Sequence, residues 1–504
     1  MVNLDKFKMN KFERLIFNIK QLFITFPQKF KSLFKEKIPL FLKRIFIMIK
    51  NELLDVFSTF KKGDIATKGS FFIMGLSLIK NRYYFRGFLY LLFEVIFIIY
   101  MFFFGWKYLK LFGTLGTKET SDNIWNEETG TYERVWGDNS MLILLYSVIT
   151  IFFIICFIYV WRQNIKQSKM CEQMNDLGIK KTSLKDSIKS IADAQYYKTL
   201  LVVPTIGLLV FTILPIIFMI LVAFTNWDIK HYPPEKLFDW VGWSNFIDLI
   251  GGGTTADTKL FFNTFRHVLL WTLIWAVFAT FTNYFLGMIV AMMINKKGIK
   301  FKKMWRTILI FTIAVPQFVS LLLMSKMLAD KGIINILLEK FGLINEYIPF
   351  LSNPLLAKIT IIIVNIWIGI PYTMLITTGI LMNVPEDLYE SAKIDGASPL
   401  KMYFNITLPY MLFITGPYLV STFIGNINNF NVIYLLTGGD PKNLNYQFAG
   451  DTDLLITWLY KLTLDNSNFK LASVIGIVVF VIIALISLIF YSKTSAVKNE
   501  GDFR

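Results

Sequence analysis

The chain has 504 residues, 55% of them hydrophobic and 16% aromatic, with a mean hydropathy of +0.52. No soluble domain of this size needs so much apolar surface, and runs of about 20 apolar residues imply membrane spans rather than a globular enzyme. The formal charge is +17, but the basic residues gather at the ends of apolar runs. That is the mark of membrane orientation, not of a nucleic-acid groove, so no nucleic-acid partner is expected.

Residues 1–86 are basic, with 18 Lys/Arg against 6 Asp/Glu. Segments such as Phe12–Phe26 and Ile38–Phe57 mix Phe, Leu and Ile with Lys at helical spacing. They predict helices lying on an anionic membrane surface, with a loosely ordered basic tail as the alternative. Phe71–Ile79 is too short to span and is expected to dip into the interface. The two cysteines, Cys156 in an apolar run and Cys171 in a basic loop after it, are poorly placed for a disulfide. The two histidines, His231 and His267, have no cluster of Cys or acids at metal spacing, so no metal site is expected.

Eight apolar runs follow, at about 88–106, 141–161, 199–224, 268–294, 307–325, 359–382, 410–436 and 471–492. Only the first carries a charge, Glu94. A single acid near the end of a span is expected to reach a polar neighbour, although an acid in a span can also be functional. Loop 107–140 holds 4 basic and 6 acidic residues, loop 162–198 holds 8 and 4, and loop 225–267 holds 4 and 5. Loop 295–306 carries Lys296, Lys297, Lys300, Lys302, Lys303 and Arg306 and no acid. This alternation places the N-terminus, 162–198, 295–306 and the tail 493–504, with Lys493 and Lys498, on the cytoplasmic side. No phosphate-binding loop of the Gly-x4-Gly-Lys-Ser/Thr kind occurs, so any ATP and Mg belong to another polypeptide and no cofactor is expected in this chain.

In span six, Trp367, Gly369, Pro371 and Tyr372 interrupt an apolar helix. Pro371 can kink it and free a carbonyl, either for packing or for a ligand. Between spans six and seven lies Glu390–Pro409, inside a loop spanning 383–409. Asn383 can cap, Pro385 fits a first turn, and Glu386 and Asp387 suit a helix N-terminus. Leu388, Ala392 and Ile394 supply the contacts of a first short helix, Gly396 breaks it, and Leu400, Phe404 and Ile406 supply a second. In span seven, Thr422, Asn426 and Asn429 fall on one helical face. Asn in hydrocarbon pairs with another helix or lines a wet cavity, and both readings stay open. An aromatic ring beside amide groups is the equipment that binds a neutral sugar.

The spacing Glu390-Ser391-Ala392, three residues, Gly396, nine residues, Ile406-x-Leu408-Pro409 resembles the EAA loop of ABC-importer membrane subunits, with Ser391 in place of Ala. The resemblance implies that this loop docks into a cleft on an ATPase subunit, with Glu390 and Gly396 as coupling residues. Residues 199–492 resemble the larger permease of the maltose/maltodextrin importer family. The carriers are AFTNWD at 223–228, GWSNF at 242–246, IGIPY at 368–372, EDLYESAKIDGA at 386–397, NINNFN at 426–431 and LLTGGDP at 435–441. The fold so implied is an all-α membrane protein of the type I ABC-importer permease kind, with eight transmembrane helices and a six-helix core. Its parts are a basic N-terminal region (1–86), two accessory spans (87–198), the core (199–492) and a tail (493–504).

The resemblance implies a sugar site lined by Ile368, Gly369, Tyr372, Thr422, Gly425, Asn426 and Asn429. Thr422 keeps the hydroxyl of a family Ser, and Gly425 stands where the family example has an aromatic ring, which leaves room for a different or larger saccharide. The implied partners are a second permease subunit, two ATP-binding subunits, a lipid-anchored or periplasmic sugar-binding protein, a malto-oligosaccharide and the lipids of a bacterial cell membrane. Some family members carry a large insert at the position of loop 225–267, which here has only about forty residues. The alternatives are a permease of the same family for another sugar or polyol, an ion-coupled secondary transporter, which would need acids in its spans, and a membrane scaffold.

Overall fold

The structure, a computed structural model, describes residues 38–127, 130–178, 193, 196–296 and 298–491. The expectations for Phe12–Phe26, for Lys493 and Lys498 and for the tail 493–504 lie outside the described residues. Two compact units divide the chain: Met1–Lys110 with Tyr146–Leu209, and Leu111–Leu145 with Val210–Arg504.

In the first unit, α1 (Ile38–Lys62), α2 (Ile65–Gly69) and α3 (Leu76–Lys80) precede α4 (Tyr84–Leu111), which is long and apolar enough to span and has a π turn at Met101–Gly105. After the hairpin described below comes α5 (Ser140–Asp176), a second helix of spanning length. The single acid in a span has a structural partner: the Glu94 carboxylate, 9% exposed, accepts the Met74 N–H at 2.7 Å. Asn164 of α5 accepts from Gly75 N at 2.9 Å and donates to Ser70 O at 2.8 Å, and Trp161 Nε1 donates to Phe71 O at 3.0 Å. Four backbone groups of the turn at 70–75 are thereby satisfied by side chains of α4 and α5. Within Phe71–Ile79, Met74 and Leu78 are buried, while Phe72, Ile73 and Leu76 stand exposed, so one side of the segment packs on protein and the other is open. Gly75 has φ +84°, and a Cβ there would collide with the Gly87 carbonyl. Cys171 lies within α5 rather than in a loop.

The second unit holds a hairpin that sequence patterning misses, β1 (Ser121–Asn126) antiparallel to β2 (Thr131–Val135), with Trp125 opposite Tyr132. Next come α6 (Leu200–Val222), whose residues up to Leu209 belong to the first unit, α7 (Ser244–Leu249) and α8 (Ala256–Asn295). The last begins twelve residues before its apolar run because Thr255 caps it, accepting from Thr258 N. After it, α9 (Lys302–Ala314) and α10 (Gln317–Met327) meet at 87°. The sequence reads as one unbroken span there. Pro316 lacks an N–H and pushes Val315 out of the helical region, to ψ 125°, so the span breaks.

A short α11 (Ile333–Lys340) leads to α12 (Pro354–Leu381), whose start is fixed by Asn353 accepting from Leu355 N and Leu356 N. Pro371 sits inside this continuous helix. The chain goes on through α13 (Glu386–Ile394), α14 (Pro399–Ile427, with a π turn at Tyr403–Thr407), α15 (Phe430–Leu436), α16 (Leu455–Tyr460) and α17 (Phe469–Tyr491). Among the described residues, seven helices are long and apolar enough to cross a membrane, and eight spans result if the α9–α10 pair counts as one.

The core lies where α8, α12 and α14 pack. Trp271, Trp275, Ala279, Ile361 and Val364 join Val432 and Ile433 in one cluster, and Tyr284, Met288, Met411 and Leu419 form another. The Tyr284 hydroxyl lies 2.7 Å from Thr415 Oγ1. Small residues let α8 and α12 approach: a Cβ on Gly287 would fall 2.7 Å from Thr373 Cβ, and one on Gly369 would collide with the Asn283 amide.

Candidate translocation cavity and coupling loop

The break at Pro316 opens a cavity of about 400 Å³ between α10, α12 and the end of α14. Its wall includes Gln317 and Ser320 from the broken span, Asn365, Trp367, Ile368, Gly369 and Tyr372 from α12, and Asn426 and Asn429. Non-helical backbone at membrane depth is tolerated where it lines such a cavity. None of the lining side chains is charged.

Five residues singled out from the sequence, Ile368, Gly369, Tyr372, Asn426 and Asn429, come together on this wall. Thr422 and Gly425 are not on it. Thr422 lies one helical turn after Tyr418 on α14 and is half-buried, and Gly425 is exposed, with nothing outside its own helix turn within 4 Å of where a Cβ would sit.

The expectation of one helical face through Asn429 is corrected. α14 ends at Ile427, and Asn429, in extended backbone, caps α15 by accepting from Val432 N at 3.2 Å. Asn competes with the helix for backbone donors, so a run of four Asn in six residues ends one helix and starts another. Asn426 and Asn429 stay neighbours, the Asn429 amide donating to Asn426 Oδ1 at 3.4 Å. Asn426 Nδ2 donates to Thr280 Oγ1 of α8 at 3.0 Å, and the Asn426 carbonyl accepts from Trp275 Nε1 at 3.1 Å.

Gln317, Ser320 and Asn365 are cavity residues that the sequence reading does not single out, while Trp367, named there with the interruption of span six, joins the wall as well. Asn365 is 5% exposed and its Nδ2 has no partner within the protein, so it offers a donor to whatever fills the cavity. An amide inside an apolar run was the available signal. Gln317 and Ser320 become visible only once the break at Pro316 is known.

The loop at 383–409 is ordered. Pro385, not Asn383, takes the cap position of α13, with Glu386 and Asp387 in its first turn. Gly396 turns the chain with φ +72°, and Ser398 caps α14, accepting from Lys401 N at 3.3 Å. The Tyr389 hydroxyl lies 2.9 Å from Thr407 Oγ1 and ties the two helices together. Leu388, Ile394, Leu400 and Phe404 are 47%, 87%, 71% and 55% exposed. Phe404 meets the Tyr403 ring edge-on at 5.0 Å, but the four leave much of their apolar surface exposed on α13 and α14. Glu390, Ser391, Gly396 and Pro409 are exposed, while Ala392, Ile406 and Leu408 are half-buried. Glu386, Tyr389, Glu390 and Lys393 face Met292 and Asn295 of α8, and Lys296 just after it, across a cleft of about 600 Å³.

Comparison with known proteins places this architecture. A solved bacterial ABC transporter involved in the import of the acidic polysaccharide alginate has a chain that matches with a TM-score of 0.50 at 23% identity, over 62% of this chain and 99% of that one. The fold is that of an ABC-importer membrane subunit. The family described as binding-protein-dependent transport system inner membrane component matches residues 283–495.

The maltodextrin transport system permease protein MalC of Streptococcus pneumoniae is 34% identical over 438 residues, covering 85% of this chain and 95% of that protein. The galactooligosaccharides transport system permease protein GanP of Bacillus subtilis is 33% identical over 434 residues, 85% of this chain and 97% of that protein. The maltose/maltodextrin permease MalF of Escherichia coli is 31% identical over 281 residues, 53% of this chain and 52% of that protein. The chain belongs to this family of binding-protein-dependent transport permeases, as a multi-pass ABC-importer subunit that transports rather than catalyses.

Proposed function

We propose that this permease passes neutral oligosaccharides of the maltodextrin type from an external sugar-binding protein to the cytoplasm. The observation that carries the reading is the uncharged cavity: amides of Asn365, Asn426 and Asn429, hydroxyls and two aromatic side chains, with no cation to meet an acidic or phosphorylated ligand. Amides pair with sugar hydroxyls, and the Tyr372 and Trp367 rings offer faces to the apolar side of a pyranose. Maltodextrin permeases among the relatives support the substrate class. The near-equal likeness to a galactooligosaccharide permease keeps that sugar as a second reading.

The chain works in a complex with a second permease subunit and two ATP-binding subunits, which hold ATP and Mg. Residues 199–492 form the moving six-span core in the cell membrane, with both termini cytoplasmic, supported by the acid-free basic loop 295–306. The ATP-binding subunits grip the apolar surface of α13 and α14, with Glu390 available for a charge-assisted hydrogen bond. Their closure biases a bundle with two arrangements, which is coupling between sites and not chemistry in this chain.

The test is uptake of labelled maltotriose into proteoliposomes holding the full complex, its binding protein and ATP, in competition with a galactotriose. Preference for maltotriose supports the first reading and preference for galactotriose the second. Uptake of neither removes both.

A further inference from the structure

Two acids of α1, Glu52 and Asp55, are turned toward α5. Arg162 pairs with Glu52 at 2.7 Å and with Asp55 at 2.5 Å, Lys166 pairs with Glu52 at 2.8 Å and Lys169 with Asp55 at 2.5 Å. Arg162 is the first charged residue after the apolar run that opens α5, so this cluster marks the level at which α5 leaves the hydrocarbon. α1 is thereby held at a membrane surface.

Its other side is apolar and open. Phe46, Leu53 and Phe57 are 68%, 63% and 67% exposed. With Ile49, Phe60 and Phe71 they form a groove of about 640 Å³ that Lys50 also lines. Lys43 precedes Lys50 by two helical turns and shares its stripe. No ion pair among the described residues holds Lys43 or Lys50, because the acids of α1 are taken by α5. What remains on this side is a strip of bulky hydrocarbon edged by cations.

We propose that α1 and the Phe71 turn form a binding site for an anionic phospholipid, with an acyl chain in the groove and the phosphate between Lys43 and Lys50. Hydrocarbon needs the groove and the phosphate needs the lysines, a pairing that a soluble anion or a purely apolar partner lacks. The acid clamp gives the site its sign: were Glu52 and Asp55 on the groove side, they would repel the headgroup.

The experiment uses the whole complex, released from nanodiscs of equal phosphatidylglycerol and phosphatidylcholine, with retained lipid read by native mass spectrometry. The expected result is at least threefold preference for phosphatidylglycerol, falling to parity in a Lys43→Gln/Lys50→Gln variant but not in Lys61→Gln/Lys62→Gln. A nitroxide on Leu53→Cys, in a background with Cys156 and Cys171 changed to Ser, should meet oxygen more readily than a water-soluble nickel complex in those nanodiscs, and not in lipid-free amphipol. Equal retention of the two lipids by the unaltered protein would overturn the proposal. So would ready nickel access in nanodiscs, or the same protection without lipid, which would mean that protein covers the groove.

Discussion

Asn426 reaches across from α14 to donate its amide hydrogen to Thr280 Oγ1 of α8 at 3.0 Å, while its own side-chain oxygen accepts from Asn429. One side chain thus serves helix packing and the cavity wall at once. The two uses are separable. Thr280→Val removes the tether but leaves the wall; hydrogen bonds between spans contribute about 0.6 kcal/mol on average, so sugar uptake should fall by no more than roughly threefold. Asn426→Ala removes the cavity-wall amide as well, and uptake should fall more than tenfold with normal assembly, as transport assays alongside membrane-fraction blots would show. Equal losses in the two variants would leave Asn426 a packing residue only.

Gly369 is a packing position as much as a cavity position. A side chain there meets the Asn283 amide before it meets any ligand. Gly369→Val should destabilise the crossing of α8 and α12 by about 1–3 kcal/mol, the usual cost of overpacking. A lower thermal midpoint of the purified complex would show it. Asn283→Ser in the same chain should recover part of the loss, because the obstructing group is then shorter.

At Gly396, φ is +72°, where a residue with a Cβ costs roughly 1–2 kcal/mol. Gly396→Val should distort the turn between α13 and α14. The expected outcome is loss of uptake with ATP hydrolysis and subunit assembly retained, measured on the same preparation. A variant that transports normally would deny the turn a coupling role.

Asp228 ties the segment after α6 to the start of α17. Burial pushes its carboxyl up, but hydrogen bonds from Lys470 at 2.7 Å and His231 at 2.9 Å, with the charge of Lys470, outweigh this and hold it below the ordinary carboxylate value. A carboxyl depressed in the folded state stabilises fully above its unfolded value, near 3.9, and loses that contribution as pH falls through the folded value. Asp228→Asn should therefore lower stability by about 1–3 kcal/mol at neutral pH, and the difference from the unaltered protein should vanish only at strongly acid pH. Thermal midpoints across a pH series would check the sign.

Much of this architecture is written in hydropathy and spacing, because lipid permits few backbone solutions. The existence of the spans and the partner sought by Glu94 follow from elementary costs of polar groups in hydrocarbon, and the order of the 383–409 loop from its helix-start residues and the turn at Gly396. The misses are local contests. The run at 307–325 reads as one span, yet Pro316 breaks it at 87°. Asn429 fits a helical face on paper, yet its side chain stops the helix by capping the next one. The apolar side chains of α13 and α14 look like core by pattern, and only coordinates show Ile394 and Leu400 standing in the open. Periodicity tells which residues share a face, not whether this chain covers that face.

The coupling role of the 383–409 loop is tested most directly by cross-linking. Ser391 is exposed on α13, so Ser391→Cys, in a background with Cys156 and Cys171 changed to Ser, can be treated with a short thiol-to-amine reagent in the assembled complex. The expected product joins this chain to an ATP-binding subunit, and Glu390→Lys in the same chain weakens it and stops maltotriose uptake. A complex that transports sugar while Ser391→Cys links to no nucleotide-binding partner would contradict it.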